Sequence, residues 1–193
     1  MPPAAEVARA LDLPLDVIIS RKLGAPGNPE FAIGAVAEGG DPYFNDEGVR
    51  STGAVPSYIS RVTAQQRLEI ARRQKLFRGG APLRVPPHAA VILVDDGIAT
   101  GSTVIAAIQA LRQQGVRRMV LAVPVAPPET IERLRPMVDE LVVLLTPPLF
   151  WAVGAFYEDF RQVSDDDVCR VLDEAARGRS TRADANAVST AEI

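Results

Sequence analysis

The stretch Val91-Ile-Leu-Val-Asp95-Asp-Gly-Ile-Ala-Thr100-Gly-Ser-Thr103 decides the fold of this chain. Four consecutive apolar residues are typical of a buried strand, and the acids, glycines and hydroxyl residues after them predict a polar loop. Val104, Ile108 and Leu111 follow at helical spacing, and Gly115 can end that helix in a left-handed cap. The stretch therefore predicts a strand, a loop and a helix in succession, which is the repeating unit of a parallel sheet.

The segments on either side extend the same alternation. A second unit is predicted from a strand at 119–125, a helix that begins near Pro128 and a strand at 140–145. On the N-terminal side we predict a helix at 4–11 and a strand at 15–19. This order predicts an α/β fold with a doubly wound, mostly parallel sheet in a single domain.

The segment between these units is less regular. Its glycines and prolines at 22–30 predict a loop, because neither a helix nor a central strand tolerates them at that density. Short strands are predicted at 31–36 and 43–44, and a long helix at 57–77.

The C-terminal region is predicted to hold one more helix. Ser164 and Asp167 have the spacing of a capping box, which marks the start of that helix. We expect the folded domain to span residues 1–177 and a disordered polar tail to occupy 178–193, because the tail offers little apolar surface to offset the entropy of ordering.

Composition and charge exclude several classes of function. The chain has 193 residues, 47% of them apolar, and a formal net charge of −3, which gives no electrostatic reason to expect nucleic acid as the partner. Cys169 is the only cysteine, so an internal disulfide framework and a zinc site built on several thiolates are excluded. No segment has the pattern of a signal peptide or a membrane span. We expect a cytoplasmic protein that binds a small molecule.

The loop after the strand at 90–94 has the groups that hold a phosphate. Its N–H groups and the hydroxyls of Thr100, Ser102 and Thr103 converge at a helix N-terminus, where an anion is stabilised without a lysine. Gly97 and Gly101 let the backbone approach the ligand closely. The helix dipole contributes only roughly 0.3–1 kcal/mol, whereas each hydrogen bond to a charged oxygen is worth about 1.5–3 kcal/mol.

Asp95 and Asp96 need a separate explanation, because carboxylates next to a phosphate repel it. Accepting hydrogen bonds from sugar hydroxyls or holding Mg²⁺ would give them a role in the same site. A phosphorylated sugar satisfies both halves of the loop.

The four apolar residues, Asp95-Asp96 and Ala99-Thr-Gly-Ser-Thr103 together resemble the motif with which type I phosphoribosyltransferases bind 5-phosphoribosyl-1-pyrophosphate (PRPP). These enzymes transfer the phosphoribosyl group to a nitrogenous acceptor and release pyrophosphate, and the resemblance covers most of the chain. It implies that Asp95 and Asp96 receive the ribose 2′ and 3′ hydroxyls and act in catalysis, and that Gly97 and residues 99–103 (Ala99, Thr100, Gly101, Ser102 and Thr103) complete the PRPP site. It also implies Mg²⁺ as the cofactor, with no protein ligand assigned, and a homodimer as the common assembly.

Two other interpretations of the motif compete with this one. An ordinary strand-ending turn followed by a plain helix N-cap would also contain these residue types, but the length of the motif argues against it. A receiver domain also ends a strand in paired acids, but it does so at its first strand, whereas Asp95 and Asp96 lie in the middle of the chain.

Arg21 and Lys22 lie at the predicted end of a strand, where related transferases place a basic residue over the pyrophosphate. The resemblance makes both of them PRPP-binding candidates and Lys22 a catalytic candidate, and it likens the loop after them to the flexible flap of those enzymes. The alternative is that both are surface charges.

Trp151 belongs to the segment Phe150-Trp-Ala-Val-Gly-Ala-Phe-Tyr-Glu-Asp-Phe160, which resembles the segment that covers the base in purine-type transferases. Trp151 is therefore the candidate to stack on a heterocyclic acceptor. Packing of the aromatic cluster against the core is the alternative.

The chain departs from the family at its N-terminus. It opens directly on the helix that normally follows a first strand and a glycine-rich pyrophosphate loop, so the domain looks N-terminally incomplete. We expect an upstream coding segment of that kind, and a sheet without its central strand would leave backbone groups unpaired. This feature favours a second hypothesis, a non-catalytic PRPP-sensing module, which turnover assays would separate from a transferase.

Overall fold

The computed structural model describes residues 1–86, 88–180 and 188–192. The helices are α1 (Pro2–Leu11), α2 (Asp46–Thr52), α3 (Pro56–Arg78), α4 (Ser102–Gln113), α5 (Pro128–Leu134) and α6 (Asp165–Ser180). The strands are β1 (Leu15–Val17), β2 (Ser20–Ala25), β3 (Asn28–Ala37), β4 (Tyr43–Phe44), β5 (Ala90–Val94), β6 (Arg118–Val125), β7 (Glu140–Leu145) and β8 (Val188–Glu192). Two short 3₁₀ turns occupy Arg135–Met137 and Val153–Phe156.

The backbone contacts divide the chain into two compact units. The first contains residues 1–17, 84–101 and 115–193, and the second contains residues 18–83 and 102–114. The α/β class and the parallel sheet predicted from the sequence are confirmed: β5 has the predicted bounds, and α4 begins directly after the polar loop.

The first unit is built on a five-stranded sheet in the order β1-β8-β5-β6-β7, with every neighbouring pair parallel. The apolar runs predicted to be buried form its centre, and Val91, Leu93, Met119 and Leu121 are fully buried. Such continuous apolar strands are expected in a parallel sheet that is covered on both faces. Because the strands are parallel, the polar residues that follow β5 lie at the carboxyl edge of the sheet, where open α/β sheets place their ligands.

Strand β8 corrects the expectation for the C-terminal tail. We expected residues 178–193 to be disordered, but α6 continues to Ser180 and residues 188–192 form a strand. Thr190 is in register with Leu15 of β1 and with Ile92 of β5, so β8 fills the position between them. The physical reason is that two facing edges with unpaired N–H and C=O groups are a strong template for any extended segment, even a polar one. Residues 181–187 and 193 of the predicted tail lie outside the described residues.

The capping box at the start of α6 is confirmed. The N–H of Ser164 donates to Oδ2 of Asp167 at 3.1 Å, and the N–H of Asp167 donates to Oγ of Ser164 at 3.1 Å. This reciprocal pair satisfies N–H groups that have no partner within a helix. Gly115, at a φ of 90°, follows α4 in the left-handed conformation that was predicted to end it.

The second unit contains an antiparallel sheet in the order β2-β3-β4. Its first hairpin corrects the prediction of a loop at 22–30, because β2 and β3 pair across that segment. The glycines and prolines are accommodated at a register shift next to Gly24 and at the turn, where Gly27 has a φ of 72°. A Cβ on Gly24 would lie 2.6 Å from the carbonyl oxygen of Pro29, so only glycine fits this close approach.

A buried carboxylate connects the elements of the second unit. Glu38 is 3% exposed and accepts hydrogen bonds from the N–H of Ile19 at 3.0 Å, from Gln74 at 2.8 Å and from Arg78. Arg78 and Gln74 both belong to α3, so these bonds attach the long helix to the end of β3. None of the helices in the described part of the chain is long and apolar enough to cross a membrane.

Candidate functional site

The candidate site is built on the loop of residues 95–101, called here the 95–101 loop, which follows β5 at the carboxyl edge of the sheet. The N–H of Asp95 donates to the carbonyl of Ala122 at 3.4 Å, and the N–H of Ile98 donates to the carbonyl of Val125 at 2.9 Å. Both acceptors belong to β6. The loop therefore stays attached to the neighbouring strand at its start and in its middle.

Asp95 and Asp96 begin this loop, and both are half-buried. Oδ1 of Asp95 accepts the N–H of Asp96 at 2.9 Å, which fixes the first carboxylate against the backbone of the second. Burial raises the pKa of Asp96 above its ordinary value. The amino group of Met1 and hydrogen bonds with Asp95 and the backbone act in the opposite direction without cancelling it. A carboxylate that is partly removed from water in this way gains from any hydroxyl donor that a ligand brings.

The second half of the loop exposes backbone donors. Ala99 and Thr100 are exposed, Gly101 has a φ of 70°, and α4 begins at the next residue, Ser102. Within the described residues, no hydrogen bond uses the N–H groups of Ala99, Thr100 and Gly101. Consecutive open N–H groups in a loop that contains a left-handed residue form a concave site for an anion.

Helix α5 supports this loop from one side. The hydroxyl of Thr130 donates to the carbonyl of Ala99 at 2.7 Å, and the guanidinium of Arg133 donates to the carbonyl of Thr100. Neither contact has a local signal in the sequence, because the two residues lie about thirty positions away from the loop in an ordinary helical pattern. Only the parallel arrangement of β5 and β6 brings α5 to this place.

The aromatic segment 150–160 contacts the acidic half of the loop. The hydroxyl of Tyr157 donates to the carbonyl of Asp96 at 2.5 Å. A Cβ added to Gly97 would lie 2.5 Å from Cγ1 of Val153, so glycine is required where the segment packs on the loop. Trp151 is 87% exposed, which excludes the alternative that it packs in the core. The sequence singled out this segment, but not the contact that joins it to the loop.

Comparisons with known proteins show the family to which this chain belongs. The family model described as the phosphoribosyl transferase domain matches residues 1–160. The chain belongs to this family. The crystal structure of TT1426 from Thermus thermophilus is 47% identical in sequence and superposes with a TM-score of 0.69, over 88% of this chain and 80% of that one.

Two Mycobacterium tuberculosis proteins are also similar to this phosphoribosyl transferase domain. They are provisionally named phosphoribosyl transferases Rv0571c (strain H37Rv) and MT0597 (strain CDC 1551), and each is 45% identical over 178 residues. The match covers 92% of this chain but only 40% of the length of each relative. The chain therefore spans less than half of these curated relatives.

The basic residues predicted for the pyrophosphate lie in the second unit, within β2 rather than at the end of a strand. Nε of Arg21 donates to Oε1 of Gln66 at 3.0 Å. Nζ of Lys22 donates to the carbonyl of Glu30 at 3.1 Å and forms an ion pair with its carboxylate at 3.0 Å, across the hairpin. Glu30 is 91% exposed, and an exposed pair of this kind is weak, so Lys22 can exchange it for another anion.

The residues of the loop fit a Mg²⁺ ion that a ligand brings with it. The described residues contain no group of three or more His, Cys, Asp or Glu side chains that could hold a metal ion by themselves. Asp95 and Asp96 supply hard carboxylate oxygens, and Mg²⁺ is usually bound by one or two carboxylates together with phosphate oxygens and water.

Proposed function

We propose that this domain uses PRPP as a donor and transfers its phosphoribosyl group to a nitrogenous, heterocyclic acceptor, with release of pyrophosphate. The observation that carries the proposal is the composition of the 95–101 loop. It combines two half-buried carboxylates with consecutive open N–H groups at the carboxyl edge of a parallel sheet. A ribose with a 5′-phosphate matches both halves, since its hydroxyls donate to carboxylates and its phosphate accepts from N–H groups.

Asp95 and Asp96 are proposed to accept hydrogen bonds from the ribose hydroxyls. The pKa of Asp96 is raised by burial, so its ionised form is stabilised more by a ligand's hydroxyl donors than a fully solvated carboxylate would be. As the bond to pyrophosphate breaks, positive charge develops on the ribose, and nearby carboxylates stabilise that charge. Binding and catalysis therefore use the same two groups.

The donors for the 5′-phosphate are proposed to be the N–H groups of residues 99–101 together with the hydroxyls of Thr100, Ser102 and Thr103. Several hydrogen bonds to a charged oxygen, each worth about 1.5–3 kcal/mol, would exceed the contribution of the α4 dipole. Arg21 and Lys22 are proposed to hold the pyrophosphate, and bound Mg²⁺ would neutralise this leaving group.

The acceptor side is proposed to use Trp151. Its ring is exposed and free to stack on a planar heterocycle, which excludes water from one face of the reacting nitrogen. Stacking does not select among planar rings. The proposed acceptors are therefore nitrogenous heterocycles in general, including those of the purine type. A cytoplasmic location and a homodimer belong to the same proposal.

Release of pyrophosphate tests the transfer reaction. The full chain is incubated with PRPP, Mg²⁺ and a panel of purine, pyrimidine and other nitrogenous acceptors, and Asp96→Asn is the control. Acceptor-dependent release that the variant loses supports the proposal. Saturable PRPP binding without release across the panel would instead support a PRPP-sensing module, and folded protein that binds no PRPP would contradict both.

A further inference from the structure

Helix α5 presents two side chains to consecutive carbonyl groups of the 95–101 loop. Thr130 is 3% exposed, and its hydroxyl donates to the carbonyl of Ala99 at 2.7 Å. The guanidinium of Arg133, one helical turn later, donates to the carbonyl of Thr100. Two adjacent peptide groups of the loop are therefore held by one helix.

Holding these carbonyls also orients the N–H groups on the other side of the same peptide bonds. In a trans peptide the C=O of one residue and the N–H of the next point in opposite directions. The bond to the Ala99 carbonyl therefore turns the N–H of Thr100 away from α5, and the bond to the Thr100 carbonyl does the same for Gly101. These are the N–H groups that have no partner among the described residues.

The packing of α5 leaves the opposite side of the loop as the one that a ligand can reach. A Cβ added to Gly101 would lie 3.3 Å from Cγ2 of Thr130 and 3.5 Å from a guanidinium nitrogen of Arg133. The helix thus closely covers the carbonyl side of the loop, and the open donors face away from it.

We infer that Thr130 and Arg133 are positioning residues for the 5′-phosphate. The inference rests on the proposed function: the two residues hold the N–H groups of Thr100 and Gly101 in the orientation that binds phosphate before the ligand arrives. Preorganised donors bind more tightly because the loop loses no further freedom on binding. Arg133 also places a positive charge behind the loop, which attracts a dianionic phosphate through the backbone.

The hydroxyl of Thr130 is tested by measuring binding of PRPP with Mg²⁺ and of ribose 5-phosphate by calorimetry. Thr130→Val keeps the shape of the side chain and removes the donor, and we expect it to lower both affinities by about three- to tenfold, the equivalent of one hydrogen bond. Thr130→Ser restores the hydroxyl and should bind within about twofold of wild type. Thr52→Val is the matched control, because Thr52 makes a similar 2.7 Å bond to a helix carbonyl in the other unit.

The charge of Arg133 is tested through the salt dependence of the same binding reactions. Arg133 is exposed, so its variants are expected to fold. Arg133→Gln should lower the affinity and flatten its dependence on salt, and Arg133→Lys should recover part of the salt dependence. Arg135→Gln removes an equal charge from the 3₁₀ turn that directly follows the same helix and should change neither quantity.

The outcomes separate this inference from the proposed function. One outcome would overturn the positioning role and leave the proposed function standing. In that outcome the wild type binds PRPP, Asp96→Asn binds it more weakly, and Thr130→Val and Arg133→Gln bind it normally. Equal losses in Thr130→Val and Thr130→Ser would show a packing effect rather than a donor effect and would also overturn it. No binding by folded wild-type protein would overturn both.

Discussion

Two carboxylates, the buried Glu38 and the half-buried Asp96, show how this domain separates structure from function. Glu38 accepts hydrogen bonds from Ile19, Gln74 and Arg78, so the protein itself compensates for removing its charge from water. For Asp96 burial outweighs every stabilising group around it, and its pKa is raised. A carboxylate that the protein leaves incompletely stabilised, at the edge of a sheet where ligands bind, is the one expected to act on a substrate.

Of the two carboxylates, Glu38 should have the larger effect on stability, and this is the largest effect that we expect. Glu38→Ala leaves Arg78, which is 11% exposed, without its buried anion. Breaking a buried pair by removing one partner destabilises a protein by about 3–5 kcal/mol. Urea unfolding measures the difference, and Glu38→Gln, which keeps acceptor and volume, should lose less. If Glu38→Ala lowers the free energy of unfolding by less than about 1 kcal/mol, Glu38 has no structural role that distinguishes it from Asp96.

Gly97 tests how closely the aromatic segment packs on the loop that carries Asp96. Gly97→Ala places a Cβ within 2.5 Å of Val153 and 2.9 Å of Val125. Overpacking of this kind destabilises by about 1–3 kcal/mol. Thermal unfolding of Gly97→Ala, Val153→Ala and the double variant should show that Val153→Ala relieves part of the strain. Additive losses in the double variant would mean that the two residues do not press on each other.

The contribution of Asp96 to stability should depend on pH in the direction opposite to that of a paired acid. Its pKa in the folded state lies above the unfolded value, so this contribution is fully present below the unfolded pKa. It is lost as pH rises through the folded pKa. Asp96→Asn avoids this loss, so its free energy of unfolding relative to wild type should rise as the pH is raised above the ordinary pKa of an aspartate. A relative stability that falls as the pH is raised would contradict the effect of burial.

The smallest effect on stability is expected at Trp151. The residue is 87% exposed, so Trp151→Ala should change the free energy of unfolding by less than about 0.5 kcal/mol. Trp151 is the only tryptophan in the chain, and its fluorescence therefore reports this position alone. An acceptor that stacks on the ring should quench the emission in the presence of PRPP. Emission unchanged by every acceptor that supports turnover would exclude the stacking role.

Local patterns predicted the part of the fold that carries the loop. The apolar run of β5, the polar residues after it and the helical spacing of α4 are all determined within a short stretch of chain. The hairpin of β2 and β3 was missed because Gly24 and Pro29 discourage strands locally, whereas pairing across the turn favours them. Strand β8 was missed because its sequence is polar and only the edges of β1 and β5 explain its pairing.

The candidate site, like the fold, was predicted only where its residues are close together in the sequence. Asp95, Asp96 and the residues up to Gly101 could be singled out because they are contiguous. Thr130 and Arg133 could not, because their contacts depend on how β5 and β6 place distant segments side by side. Supporting contacts of this kind have no signature in a single sequence.

The most direct test of the central claim is a calorimetric titration of the full chain with PRPP and Mg²⁺, repeated with Asp96→Asn and with Glu38→Gln. We expect saturable binding by the wild type, an affinity about ten- to a hundredfold weaker in Asp96→Asn because a charge-assisted hydrogen bond is lost, and near-normal affinity in folded Glu38→Gln. Equal affinities of wild type and Asp96→Asn, or no binding by folded wild type, would contradict the assignment of the 95–101 loop as the ribose phosphate site.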